Sequence, residues 1–366
     1  MPQLKLLSAA EQVAEHLIKE IHSGAFIDEM PGAMRLAKTY GVNHKTMESA
    51  LQLLEKKQIL ENNGTRKCRT IRNEKLDDAD SKCLRIGFLP MEQKDENVNY
   101  IIELNNLLEE NGHKPFFAEK SLLDLKMDRI KVSNFVKKSG ADAWVIGSGS
   151  SEILKWFSTI DVPSFALFGH YSDIQIAAIA PEKSPALIEA TRHLIKLGHQ
   201  RITLLCRKHL RGPNPTPFVS TMLNELENSG IKTSDFNLPE WNESKEGFRN
   251  IMNSLFKITP PTAIIADEAF MYTAILQYLA EKGMKVPEDV SLICTDDDPN
   301  FEWCDPQVSH ISWDSKPVIR RIVRWANNIS LGKDDRRQSL VSSNFCLLYT
   351  SPSPRDLSTS RMPSSA

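Results

Sequence analysis

Hydrophobic residues in the first sixty positions recur three or four apart, the spacing of amphipathic helices. The first such stripe consists of Val13, Leu17, Ile18 and Ile21. Ser8 stands three residues before Glu11, which is the spacing of a capping box at a helix start. The pattern therefore predicts a first helix over residues 7–23.

Two further helices are predicted on either side of Gly41. A short helix around Leu36 and Ala37 ends at Gly41, because glycine tolerates the left-handed conformation of a helix C-cap. Asn43 is a strong N-cap residue and opens the next helix. The apolar positions of that helix are Met47, Ala50, Leu51, Leu54 and Ile59.

The outer face of the third helix and the segment after it are polar and basic. His44, Lys45 and Thr46 point outward on the first turn. Asn62-Asn63-Gly64 is a hairpin turn signal, and basic residues follow it. They are Arg66, Lys67, Arg69 and Arg72. Two helices, a turn and a basic hairpin predict a winged helix-turn-helix that binds double-stranded DNA, with a generic helical subdomain as the alternative.

The charge distribution agrees with this prediction. Residues 1–73 contain 11 lysines and arginines against 8 aspartates and glutamates, whereas the whole chain of 366 residues has a net charge of −2. A basic head on an acidic body fits a protein in which only the head contacts DNA. The difference is small and would not predict DNA binding without the motif.

From Leu84 onward, short apolar runs alternate with amphipathic helices. Such runs are typical of buried parallel strands, and their alternation with helices predicts a doubly wound α/β sheet. One of the helices is expected over residues 122–138. The pattern restarts near residue 181, so we expect two lobes over roughly 84–180 and 181–310, followed by a late crossing back. The predicted organisation is a head at 1–72, a polar linker at 73–83 and a body at 84–345.

Several classes of protein are disfavoured. The six cysteines form no CxxC pair and no His/Cys cluster with zinc spacing, so we predict neither a metal nor a cofactor. GxSxG and phosphate-cradling GxxxxGK[ST] motifs are missing, and we predict that the protein is not an enzyme. Without a signal pattern or a long apolar run, we expect a cytoplasmic protein with no membrane partner.

The last 21 residues, 346–366, differ from everything before them. Composition alone would suggest a disordered Ser/Pro tail. Residues 346–356 and 360–366 nevertheless back-translate, in one frame, to sequences that resemble the two parts of a transposase-type sequencing adaptor. We therefore expect this tail to be foreign to the native protein.

The head resembles the GntR-type winged helix in the strings SAAEQVAEHLIKEIHSGAF and MPGAMRLAKTYGVNHKTMESALQLLEKKQIL. By this resemblance, the DNA-contacting positions are Arg35, Asn43, His44, Lys45 and Thr46, and Gly64 is the wing-tip glycine. The basic residues Arg66 and Lys67 complete the predicted DNA-binding set. Asn43-His44-Lys45 replaces the commoner Ser-Arg-Thr, and Glu48 stands where a basic residue is frequent, so the operator sequence is not implied.

The body resembles the LacI/GalR-type regulators, which are related to periplasmic sugar-binding proteins. The resemblance rests on HLIKLGHQRITLL and PPTAIIADEAFMYTAILQYLAEKGMKVPEDVSLICTDDD. It implies an effector cleft between the lobes at strand ends, contacted by Leu89, Met91, Gly147, Ser148, Asp267, Asp296 and Asp297. The family arginine that grips sugar hydroxyls has no clear counterpart, although Arg211 lies nearby. The carboxylates could instead be turn residues that bond nearby backbone.

Together these features predict a transcriptional regulator, with repression expected, whose operator affinity responds to a small molecule. A sugar-like effector is implied by the resemblance, and the acidic residues would equally suit an amine. We expect a homodimer on a two-fold symmetric operator. The alternative is a solute-binding or enzymatic α/β protein with no role in DNA binding.

Overall fold

The computed structural model describes residues 8–23, 26, 29–57, 59–62, 64, 69–71, 82–211 and 216–348. The chain forms two compact units. Unit 1 comprises Met1–Ala180 and Ser315–Ser339, and unit 2 comprises Pro181–Asp314 and Leu340–Ala366. The chain thus passes from one unit to the other three times.

The head, defined here as the described residues from 8 to 71, belongs to unit 1. Its elements are α1 (Ala9–Ser23), β1 (Glu29–Met30), α2 (Ala33–Tyr40), α3 (His44–Lys56), β2 (Leu60–Glu61) and β3 (Arg69–Ile71). The three strands form an antiparallel sheet in the order β1-β3-β2. The three helices predicted from hydrophobic spacing are therefore present, and a small sheet accompanies them.

The helix caps and the buried face predicted for the head are present in the structure. The Ser8 backbone N–H donates to Glu11 at 2.7 Å, and the Glu11 N–H donates to the Ser8 hydroxyl at 3.2 Å, completing the capping box. Gly41 ends α2 in the left-handed conformation, with φ of 65°. The apolar side of α3 is fully buried against α1 and α2, at Met47, Ala50, Leu51 and Leu54.

The rest of unit 1 is a parallel sheet with helices. In chain order its elements are β4 (Arg85–Leu89), α4 (Asn99–Glu110), β5 (Lys114–Phe117), α5 (Arg129–Ser139), β6 (Ala143–Gly147), α6 (Ser151–Phe157), β7 (Ser164–Leu167) and β8 (Ala177–Glu182). The strands are all parallel, in the order β5-β4-β6-β7-β8. Trp144, Phe157 and Leu154 lie in its core.

Unit 2 repeats the same design. Its elements are α7 (Ser184–Lys196), β9 (Ile202–Leu205), α8 (Lys208–Arg211), α9 (Pro217–Asn228), α10 (Lys245–Ile258), β10 (Ala263–Ala266), α11 (Ala269–Glu281), β11 (Ser291–Cys294) and β12 (His310–Trp313). The chain then supplies α12 (Ser315–Ser330), which packs on α4 of unit 1, and β13 (Gln338–Cys346). Strands β9, β10, β11 and β12 are parallel neighbours, and β13 pairs antiparallel with β12.

One predicted helix starts seven residues later than expected. The pattern over residues 122–138 predicted a single helix, whereas α5 begins at Arg129. Lys126 and Met127 adopt positive φ values of 59° and 51°, which a right-handed helix excludes. The Asp128 carboxylate then accepts the N–H groups of Ile130 and Lys131 at 2.8 and 3.0 Å, so Asp128 is the N-cap.

The end of the body also differs from the prediction. The second lobe was expected to end near residue 310, and the strands β12 and β13 were not predicted. Cys346 is the last residue of β13 and pairs with His310, so this strand runs one residue past the boundary expected at 345. Among the helices of the described residues, none is long and apolar enough to cross a membrane.

Candidate functional site

The first turn of α3 presents polar side chains to solvent. The Asn43 side-chain oxygen accepts the Lys45 backbone N–H at 2.9 Å, so this N-cap holds the helix start in place. Asn43, His44 and Lys45 are exposed, and Thr46 is half-buried. Because unpaired N–H groups and the helix dipole make a helix N-terminus electropositive, this turn can accept phosphate oxygens. Arg35 is also exposed, on α2.

The basic segment after α3 is not uniformly free to contact a ligand. Arg69, on β3, forms ion pairs with Glu48 and Glu55, which both lie on α3. Burial alone would lower the pKa of Arg69, but the bonds from Glu55 and Glu48 raise it. The guanidinium of Arg69 thus fastens the sheet to α3, and its place in the DNA-contacting ribbon stays a prediction. Glu48 stands where the GntR-type pattern frequently has a basic residue, and here it pairs with Arg69.

The tip of the predicted wing is described only at Gly64. This glycine is exposed with φ of 101°, and its N–H donates to the Asn62 side-chain oxygen at 3.0 Å. A positive φ of this size strains any residue with a Cβ, which explains the choice of glycine in the turn. Arg66 and Lys67 lie outside the described residues, as does Arg72.

In unit 1, the predicted effector residues lie at the carboxyl ends of β4 and β6. Leu89 is fully buried and packs in the hydrophobic core, so its side chain is not available to a ligand. Met91 is half-buried. Gly147 is buried, and Ser148 has φ of 49° with its N–H bonded to the Leu167 carbonyl at 2.8 Å. Of this set, Met91 and Ser148 keep partly exposed side chains.

Asp267 lies directly after β10 and is the most deeply buried carboxylate of unit 2, with 8% exposure. From the described residues, its oxygens accept two long bonds, from the Arg207 backbone N–H at 3.4 Å and the Thr295 hydroxyl at 3.4 Å. Burial first, and then the charge of Glu268, raise the pKa of Asp267 to about 7, while Lys183 opposes the rise. Near neutral pH this carboxyl group can therefore donate or accept a hydrogen bond.

The two aspartates after β11 each have a basic partner. The Lys183 ammonium, just before α7, lies 3.1 Å from Asp296. Burial alone would lower the pKa of Lys183, but Asp296 and Asp267 raise it. Asp297 lies 3.4 Å from the imidazole of His310. These contacts join the segment after β11 to the start of α7 and to the start of β12.

Arg207 is a residue of this cluster that sequence reasoning missed. It lies two residues after β9, is buried, and forms two bonds to Glu268, from Nε at 2.9 Å and Nη2 at 3.2 Å. Glu243 lies 3.6 Å from the same guanidinium. The position of Arg207 just after β9 could have indicated its role, because polar residues that follow parallel strands converge at one edge of a sheet. Lys183 was missed because its partner lies 113 positions away.

Arg211 does not take the place of the missing sugar-gripping arginine. It is buried and donates to two backbone carbonyls, those of Cys206 at 3.3 Å and Trp241 at 2.5 Å. Both bonds hold the loop after β9 in place. The strand ends of unit 2 thus combine carboxylates that accept hydrogen bonds with buried cations that orient them. Among the described residues, no group of three His, Cys, Asp or Glu side chains could hold a metal ion.

Comparison with known proteins finds similarity over the later part of the chain. Residues 191–342 match the periplasmic binding protein-like domain. HTH-type transcriptional repressor CytR of Escherichia coli (strain K12) is 25% identical over 145 residues, which make up 38% of this chain and 41% of that protein. The chain thus spans less than half the length of this curated relative.

Two solved structures share the fold. A LacI family transcriptional regulator from Enterococcus faecium with bound ribose is 17% identical, with a TM-score of 0.59 over 74% of this chain and 99% of that chain. The lac repressor dimer bound to operator and the anti-inducer ONPF is 17% identical, with a TM-score of 0.58 over 74% of this chain and 95% of that chain. The predicted two-lobed periplasmic-binding-protein-like fold is therefore confirmed. The GntR-type assignment of the head draws no support from these relatives.

Proposed function

We propose that this chain is a LacI-type transcriptional regulator, a repressor that binds operator DNA through its head and a small-molecule effector through its body. The observation that carries the proposal is the exposed, capped first turn of α3 in a chain whose body has the fold of the LacI-type regulators. The relatives reported above are transcriptional repressors by name and not enzymes.

For the head, we propose docking of the α3 N-terminus in the major groove. Asn43, His44, Lys45 and Thr46 would meet base edges and phosphates, with Arg35 beside them. The antiparallel sheet formed by β1, β3 and β2 favours a winged head of the GntR type. The relatives favour the LacI type instead. The two differ in whether the segment carrying Gly64, Arg66 and Lys67 contacts DNA.

For the body, we propose an effector that binds at the strand ends of unit 2 and exchanges hydrogen bonds with Asp267, Asp296 and Asp297. Among the described residues there, the carboxylates Asp267, Glu268, Glu243, Asp296 and Asp297 outnumber the cations Lys183, Arg207 and Arg211, so a sugar-like polyol or an amine is favoured over an anion. Met91, Gly147 and Ser148 are the corresponding candidates in unit 1. We also propose that the protein acts as a homodimer on a two-fold symmetric operator, as expected for two heads reading two half-sites.

The test is fluorescence anisotropy of the full chain on labelled random duplex DNA at rising salt. We expect an affinity that falls steeply between about 50 and 200 mM salt, because phosphate contacts release counterions. Lys45→Ala should weaken binding about tenfold at low salt, the scale of one lost phosphate contact. Lys56→Ala, which removes an exposed lysine at the other end of α3, is the matched control and should change little.

Two outcomes decide the proposal. If the folded wild-type protein shows no binding at the lowest salt, the regulator function is rejected. If Lys45→Ala and Lys56→Ala weaken binding equally, α3 does not dock by its N-terminus. An Arg66→Ala arm separates the head types, since loss of affinity in this variant supports a DNA-contacting wing. A panel of sugars and amines, added to the DNA complex, then identifies effectors that release it.

A further inference from the structure

Four arginines lie close together in unit 1, on α12 and in the segment before β13. Arg320 and Arg321 each lie about one helical turn before Arg324 on α12. Arg337 lies in the segment that follows the end of the helix at Ser330. Asp335 is the carboxylate that contacts this group. The cluster belongs neither to the proposed DNA-binding surface nor to the strand ends of unit 2.

Among these guanidinium groups, Asp335 forms its ion pair with Arg321. It accepts two bonds from Arg321, from Nη1 at 3.0 Å and from Nη2 at 2.7 Å. Arg321 is 4% exposed, so this is a buried bidentate pair. Asp335 also accepts hydrogen bonds from the side-chain amide of Asn328 at 2.9 Å and from the backbone N–H of Arg337 at 3.3 Å. The neighbouring Asp334 is exposed and pairs with Arg336 instead.

Arg337 brings further charge to the same place without an acceptor for it. Its carbonyl accepts a bond from Arg321 Nη2 at 2.8 Å, which fixes its backbone beside the buried pair. Its side-chain Nε and Nη2 atoms are buried, and they have no hydrogen-bond partner within the described part of the chain. A buried donor left without an acceptor costs about 1–3 kcal/mol, and more when it is charged.

Arg324 has no carboxylate partner among the residues that the structure describes. Its Nη1 donates to the backbone carbonyl of Phe26 in the head, at 3.4 Å. Burial first, and then the positive charges of Arg337, Arg321 and Arg320, lower the pKa of Arg324 to about 10, against the opposing charge of Asp335. The positive charges of these neighbouring guanidinium groups thus act on Arg324 in addition to its burial.

We propose that this arginine cluster is a binding site for a small oxyanion, a phosphate group that is either free or carried by a small metabolite. Planar guanidinium forks match the oxygens of phosphate and sulfate, and several arginines around one anion are the usual arrangement. The side chains of Arg324 and Arg337 are half-buried, so part of each is exposed, although Nε and Nη2 of Arg337 are themselves buried. Because Arg324 also contacts the head at Phe26, an anion bound here would change that contact.

The experiment is a thermal-unfolding series on the full chain, in sodium chloride and in sodium phosphate at equal ionic strength and pH. We expect Tm to rise with phosphate concentration in the wild type, since a ligand that binds only the native state stabilises it. Arg337→Met should lose the phosphate response, with an apparent affinity at least about tenfold weaker. Arg336→Met, which removes the exposed neighbouring arginine, is the matched control and should keep the response.

A second readout separates an anion site from a structural role. In chloride alone, Arg337→Met should be as stable as the wild type or more so, because it removes an uncompensated charge. Arg324→Met tests the site independently and should also lose the response. Ribose 5-phosphate beside ribose distinguishes the sources, since a stronger response to the ester than to inorganic phosphate indicates a metabolite. Equal Tm in phosphate and chloride for the wild type, or an unchanged response in Arg337→Met, would overturn the proposal.

Discussion

The start of α3 and the strand ends of unit 2 use charge in opposite ways. At α3, Lys45 and His44 are exposed to water, with the helix N-terminus beneath them. At the strand ends, Arg207 and Lys183 each contact at least one carboxylate, and Asp267 is almost fully buried. One surface offers positive charge outward, and the other pairs its charges with one another.

This difference follows from what each surface is proposed to bind. DNA is a long polyanion already surrounded by counterions, so exposed lysines gain affinity simply by replacing those ions. A small effector offers a few hydrogen bonds, and a site for it must hold its acceptors in fixed positions before the ligand arrives. Pairing Asp296 with Lys183 and Glu268 with Arg207 fixes carboxylates in this way. Substitutions in the two regions should therefore have different consequences for stability and binding.

The largest change in folding stability is expected on substitution of Asp267. Its pKa is raised from 3.8 to about 7, so the folded state prefers the protonated form, and stability should fall as pH rises from about 4 to 7. Asp267→Asn keeps the shape and removes the charge, so we expect it to stabilise the protein above pH 7. Three pKa units correspond to about 4 kcal/mol as an upper bound. Urea unfolding at about pH 5 and pH 8, followed by tryptophan fluorescence, measures it.

The pH dependence is the decisive part of this test. Near pH 4 the variant and the wild type should be equally stable, and the difference should grow up to pH 7. Asp235→Asn, at an exposed position of the same unit, is the control and should show no such trend. A variant that is destabilised at pH 8 would mean that Asp267 is charged and favourably paired, which contradicts its described surroundings.

The next largest change in stability is expected on substitution of Arg69. This basic residue of the head is paired with carboxylates, as Arg207 and Lys183 are in unit 2. Arg69→Met leaves Glu48 and Glu55 together without a cation, so α3 and the sheet should loosen. Because the pairs are partly exposed, we expect a loss of about 2 kcal/mol, below the 3–5 kcal/mol of a fully buried pair. None of the six tryptophans lies in the head, so hydrogen exchange of peptides from α3 is the measurement.

A compensating variant keeps this prediction testable. Adding Glu48→Gln and Glu55→Gln to Arg69→Met removes the uncompensated negative charges and should restore much of the protection of α3. DNA affinity should recover with it unless Arg69 itself contacts phosphate. If the triple variant stays folded yet binds DNA as weakly as Arg69→Met, then Arg69 contacts DNA after all.

Local signals were enough to predict most of the fold. The Ser8–Glu11 capping box, Gly41 and Asn43 each act between residues a few positions apart, and each is found in the structure. The strands were predictable because a buried parallel strand needs a continuous apolar run. The start of α5 was missed, although Asp128 is an N-cap residue type, because the apolar spacing before it continues without a break.

The charged contacts of the sites were far less predictable. Asp267, Asp296 and Asp297 were named through the LacI/GalR-type resemblance, and the structure has them near strand ends: Asp267 directly follows β10, and Asp296 and Asp297 come after Thr295 beyond β11. Their partners were not found, since Lys183 and Asp296 lie 113 residues apart and Arg69 and Glu48 lie 21 apart. Nothing in the local pattern indicates which long-range partner a charge will meet. The sequence therefore indicated candidate side chains but not which charges are already paired.

The smallest effect is expected at Asn43, where capping and DNA contact fall on one side chain. Asn43→Ala removes the acceptor for the Lys45 N–H and should loosen the first turn of α3 by about 1 kcal/mol. Asn43→Asp keeps an acceptor, so hydrogen exchange of that turn should stay slow, while its negative charge should repel phosphate and weaken DNA binding. Fast exchange in Asn43→Asp would contradict the capping role. Unchanged DNA affinity in Asn43→Asp would instead show that the α3 start does not approach the DNA backbone, and its exposed charges would then be no more than a solvated surface.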